Sequence, residues 1–72
     1  MVNVNKLKGK IVEKGYSVEK LAKEIGVDKT TIYRKINNNG ETFTIDEADR
    51  IVNVLSLNAE EAQSIFFSQF VA

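Results

Sequence analysis

Apolar residues in this chain recur every three or four positions, the period of one face of an α-helix, and do not alternate as a strand requires. Val4, Leu7 and Ile11 mark a first helix, which Gly15 stops in a left-handed turn after Lys14. Val18, Leu21, Ala22 and Ile25 mark a second, with Ser17 as its N-cap and Gly26 as its stop. Asp28 caps a short third helix buried through Ile32 and Ile36. That helix ends in Asn37-Asn38-Asn39-Gly40, a run that tolerates positive φ at little cost. Asn39-Gly40 also suits a β-hairpin, but no alternating strand precedes it. Thr44 with Glu47 forms a capping box, followed by Ile45, Ala48, Ile51, Val52 and Leu55 on one face. Asn58 with Glu61 resembles a second box, opening a last helix that carries Ala62, Ile65, Phe66, Phe67, Phe70 and Val71. The pattern predicts an all-α fold of five short helices in one domain spanning residues 1–72.

Composition narrows what such a fold can do. A chain of 72 residues is long enough for one small core but not for an added substrate domain. It has no cysteine and no histidine, so disulfides, thiolate metal sites and the commonest general base and metal ligand are all missing. The Glu and Lys residues are scattered at helix-surface spacing, so no catalytic residue, metal or cofactor is expected and the chain does not read as an enzyme. Residues 1–10 carry lysines and no long apolar run, from which neither a signal peptide nor a membrane span is expected, and a cytoplasmic location is.

The formal net charge of zero hides a division along the chain. Residues 1–40 hold nine Lys/Arg against four acids, a balance of +5. Residues 41–72 hold Arg50 against six acids, a balance of −5. Where charge sits, rather than its total, governs association with a polyanion.

The basic half contains two short helices joined by a tight glycine turn, the arrangement of a helix-turn-helix unit over about residues 17–37. Packing accounts for its spacing. Ala22 lets the two helices approach, Gly26 opens the turn, Val27 plugs the core behind it, and Ile32 and Ile36 anchor the second helix.

The segment from Ser17 to Ile36, SVEKLAKEIGVDKTTIYRKI, resembles the Xre family of phage-repressor and Cro-like proteins, whose motif runs roughly Ser-x-x-x-Leu-Ala-x-x-Leu-Gly-Val-Ser-x-x-x-Ile. Leu21, Ala22, Gly26, Val27 and Ile32 match it directly and Ile25 conservatively. The resemblance implies a five-helix lambda-repressor-like fold and binding of double-stranded DNA. Two departures bear on function. Val18 stands where several members have a glutamine that contacts phosphate, and Lys35-Ile36-Asn37-Asn38 replaces the usual end of the recognition helix. Asn37 lies where the family has a phosphate-binding asparagine, a role that the resemblance carries to it.

Stepping about 100° per residue along the third helix, with Ile32 and Ile36 inward, turns Arg34, Thr30 and Thr31 outward and sets Asn37 and Tyr33 on one flank. The resemblance adds Lys29, because the first residues of a recognition helix reach base edges. Lys29, Thr30, Thr31, Tyr33 and Arg34 are therefore the candidate base readers, with Arg34 suited to guanine O6 and N7. Tyr33 has packing on the second helix as its alternative, and the threonines have satisfaction of the helix start as theirs. Ser17, Asn37, Lys35 and Lys10 are the candidate phosphate contacts, with Lys6 and Lys8 offering the same charge from the first helix.

In the last helix, Phe66 and Phe70 suit a core, whereas Ile65, Phe67 and Val71 lie on other sides. These three are the candidate contacts of a homodimer, whose recognition helices would stand about 34 Å apart. Alternatively, the helix fills the core more fully. The leading expectation is a Cro- or repressor-like transcription regulator that occupies a pseudo-palindromic operator, with no small-molecule ligand. The alternative is a protein-binding module, such as an antirepressor or antitoxin, presenting the aromatic helix. A basic face left open favours DNA; one covered by the acidic half favours protein.

Overall fold

The computed structural model describes residues 2–67. These form five α-helices: α1 (Val4–Glu13), α2 (Val18–Ile25), α3 (Lys29–Asn37), α4 (Ile45–Val54) and α5 (Ala59–Phe66). The all-α helix-turn-helix architecture expected from the apolar spacing is the one that forms. Phe70 and Val71 lie outside the described residues.

Each helix begins and ends for a local reason. Four N-caps accept a backbone amide of the first turn: Asn3 from Lys6, Ser17 from Lys20, Thr44 from Glu47 and Asn58 from Glu61. The last two are complete capping boxes, because Glu47 and Glu61 reach back to the amides of Thr44 and Asn58. Asp28 occupies the cap position of α3 without making a side-chain cap bond. At the end of α2, Gly26 at φ +81° lets the Val27 amide reach the Ala22 carbonyl at 3.0 Å. A left-handed residue with a Cβ costs roughly 1–2 kcal/mol, which is why glycine suits this turn. The same closure ends α4 with Ser56 at φ +52°, a stop that no glycine announces.

The core joins Leu7 and Ile11 of α1, Leu21, Ala22 and Ile25 of α2, Ile32 and Ile36 of α3, Ala48 and Ile51 of α4, and Ile65 and Phe66 of α5, with Leu55 and Leu57 from the α4–α5 connection. α2 packs on both α3 and α4, and α1 packs on α5. Burial of Ile32, fully enclosed, contributes about 1.5–3 kcal/mol and fixes how α3 sits on the domain.

Two apolar residues depart from the expected pattern. Ile45 is 81% exposed. It is the first residue of α4, and helical side chains tilt toward the N-terminus, so its side chain points past the start of the helix rather than into the core. Ile65 is 1% exposed and therefore belongs to the core, not to a dimer surface. Its carbonyl accepts from the Asn3 amide at 2.6 Å, while its neighbour Phe66 meets Phe43 edge-to-face at 6.3 Å. With partners on two flanks, α5 buries two consecutive residues. Phe67, at 44% exposure, is the exposed large apolar side chain at the end of this helix.

Candidate nucleic-acid interface

Because Ile32 and Ile36 are anchored inside, the opposite face of α3 is turned to solvent. Lys29, Thr30, Tyr33, Arg34 and Asn37 are all exposed and Thr31 is half-buried. Thr30, Tyr33, Arg34, Asn37 and Asn38 line one shallow open surface, so four expected site residues share a continuous patch. Lys29 lies 3.8 Å from Glu19, a loose exposed pair. Such pairs contribute about 0–1 kcal/mol and leave a long side chain available to a stronger partner.

Along one flank of α3 the surface deepens. Ser17 and Val18 at the start of α2, Tyr33 and Asn37 of α3, and Lys8, Ile11 and Val12 of α1 line a cavity of about 320 Å³. The two expected phosphate contacts Ser17 and Asn37 thus face one concavity from different helices. Lys8 joins them. In the sequence, Lys6, Lys8 and Lys10 are equivalent; the helical period separates them, setting Lys8 beside α3 and Lys10 beside α5.

Lys10 and Lys35, both expected at phosphate, are each engaged by carboxylates. The Lys10 ammonium contacts Glu61 at 2.5 Å and Glu13 at 3.0 Å. Hydrogen bonding to Glu61, then to Glu13, raises its pKa above the usual 10.5, and the same pair holds the Glu61 carboxyl below its usual value. Lys35 contacts Glu47 at 2.5 Å with 12% of its side chain exposed, and its ammonium lies 5.8 Å from the Phe43 ring centroid. Burial pushes the Glu47 carboxyl up, but hydrogen bonds from Lys35 and from the Thr44 amide outweigh it and leave its pKa lowered. The capping-box glutamates of the acidic half are therefore also anchors for two lysines of the basic half. Their box spacing is visible in the sequence; their second partners are not.

The structure also assigns a task to Arg50, for which the sequence offers no motif. One guanidinium nitrogen donates to the Ile25 carbonyl at 2.9 Å and another contacts Asp46 at 3.0 Å. This side chain of α4 closes the C-terminal end of α2, directly at the turn that sets α3. The described part of the acidic half, residues 41–67, thus lies behind the unit, held by Arg50, Lys35 and Lys10, and among the described residues the outer face of α3 stays open.

Among the described residues, no helix is long and apolar enough to cross a membrane, and no group of three His, Cys, Asp or Glu is placed to hold a metal ion. A family model described as Cro/C1-type HTH DNA-binding domain matches residues 6–64. No curated protein and no solved structure matches the chain.

Proposed function

Starting from the premise that the chain belongs to the Cro/C1-type HTH DNA-binding domain family, we propose that it is a sequence-specific transcription regulator that acts by occupying an operator. In this reading α3 enters the major groove. Arg34, Thr30 and Lys29 meet base edges, and Thr31 and Tyr33 flank them. Ser17, Asn37 and Lys8 face the adjoining phosphates, with the amide end of α2 beside them. The observation that carries the reading is the solvent-facing row Thr30, Arg34 and Asn37, opposite the anchored Ile32 and Ile36.

The regulator acts as a homodimer, at least on DNA, on a pseudo-palindromic site with half-sites about one helical turn apart. Phe67, which caps the C-terminal end of α5, is the exposed apolar residue available there for that contact. The setting is the cytoplasm of a bacterial cell or a phage-infected host, and repression is steric. The rival reading, an antirepressor or antitoxin that presents an aromatic helix, draws on the same exposed Phe67, because Ile65 and Phe66 are enclosed.

Selection from a randomised duplex pool tests the proposal. Enrichment of a two-fold-symmetric sequence is the expected result. Weak, salt-sensitive binding with no enriched sequence would reduce the basic face to a non-specific electrostatic role.

A further inference from the structure

The cavity beside α3 has a rim that suits phosphate and a floor that does not. Its apolar walls are Ile11, Val12, Val18 and Ile36. A phosphate at the rim gains nothing from them, because a hydrated anion loses solvation on entering apolar surroundings. Among the described residues, Lys8 is its one charged lining residue, and no carboxylate lines it. The volume of about 320 Å³ lies at the low end of small-ligand sites, which are roughly 300–1,000 Å³. At about 30 Å³ per water-sized group, it admits about ten non-hydrogen atoms.

We propose that this cavity binds a small amphipathic anion, with an apolar body of about eight carbons on the floor and a single carboxylate on Lys8, and that the bound anion excludes DNA. Exclusion rests on the DNA-binding reading above and follows from shared residues. Tyr33 and Asn37 line both the cavity and the outer patch of α3, so a carboxylate at the rim takes the place of a backbone phosphate. A small-molecule ligand departs from what the sequence led us to expect. Here the cavity is within the helix-turn-helix unit and its α1 neighbour.

The test uses the full chain, labelled for amide NMR and titrated with sodium octanoate. Sodium acetate at equal concentration controls for ionic strength, and octylammonium chloride controls for charge. Octanoate is expected to give saturable shifts centred on Val12, Val18, Tyr33 and Ile36, with acetate silent and octylammonium at least fivefold weaker. Val12 is 75% exposed, so Val12→Glu leaves the fold intact while placing a negative charge at the mouth, one helical turn from Lys8 on α1. It should abolish the octanoate shifts without changing the melting temperature. Octanoate should also displace a selected duplex from the parent chain. An absence of saturable shifts, or equal binding of octylammonium, overturns the site, and saturable octanoate binding with no displacement overturns the exclusion. A chain that binds octanoate at these residues yet binds no duplex counts against the DNA reading and leaves the cavity assignment standing.

Discussion

Arg34 and Lys35 are neighbours in the chain, both cationic, and they end in opposite regions of the molecule. Arg34 stands on the outer face of α3, in the patch with Thr30, Tyr33 and Asn37. Lys35, one helical step around, is enclosed in the seam between α3 and α4 against Glu47 and Phe43. A basic half-chain is therefore not itself a DNA surface. Positive charge serves recognition only where the fold has not already neutralised it, and here the capping-box glutamates of α4 and α5 neutralise Lys35 and Lys10.

The largest expected effect is on binding. Arg34→Ala should weaken a selected duplex by about 1–3 kcal/mol, the range for loss of a bidentate base contact, with melting unchanged within about 0.5 kcal/mol. Lys35→Met should do the reverse. It leaves the half-buried Glu47 carboxylate with only its Thr44 bond, a loss of about 1–2 kcal/mol of stability, between the exposed and buried limits for ion pairs. Thermal melting would register this as a fall of roughly 4–8 °C per kcal/mol.

The same seam predicts a pH dependence. Glu47 and Glu61 have folded pKa values below their usual 4.5, so their contribution is fully present above that pH and is lost as pH falls through the lowered values. Melting followed from neutral into acid should show added destabilisation below pH 4.5, and Glu47→Gln should make it shallower. A curve identical in the variant would detach Glu47 from the seam.

Arg50→Met acts behind the helix-turn-helix unit. Losing the Ile25 carbonyl bond should cost about 1 kcal/mol in a chemical denaturation curve, with the base preference of the selected duplex unchanged. The smallest effect lies outside both regions. Ser56→Gly relieves a left-handed residue at the end of α4 and should stabilise by up to about 1 kcal/mol in the same assay.

How much of this was legible in the sequence follows from the range of the interactions. Signals within a single turn were: the Ser17, Thr44 and Asn58 caps, the Gly15 and Gly26 stops, and the inward rows through Leu21, Ala22, Ile32 and Ile51. The outward set on α3 followed from the same period, since fixing Ile32 and Ile36 fixes Arg34. Ile45 matched the inward row of α4 but fell on its first residue, where the core ends, and Ser56 closes its helix without the glycine that would have marked the place. The roles of Lys10, Lys35 and Arg50 depend on partners in other helices, and that of Lys8 on how α1 sits against α3. Spacing along one helix carries no information about which acid or carbonyl a lysine or arginine will meet.

The most direct test of the division between Arg34 and Lys35 is to map base preference at every position of the selected duplex for the parent chain, Arg34→Ala and Lys35→Met, each at two salt concentrations. Arg34→Ala should relax preference at one position in each half-site, while Lys35→Met should keep both the preference and the salt slope of the parent. Relaxed preference in Lys35→Met, or a salt slope reduced by about 0.9 as expected for a lost phosphate contact, with Arg34→Ala unaffected, would contradict the account.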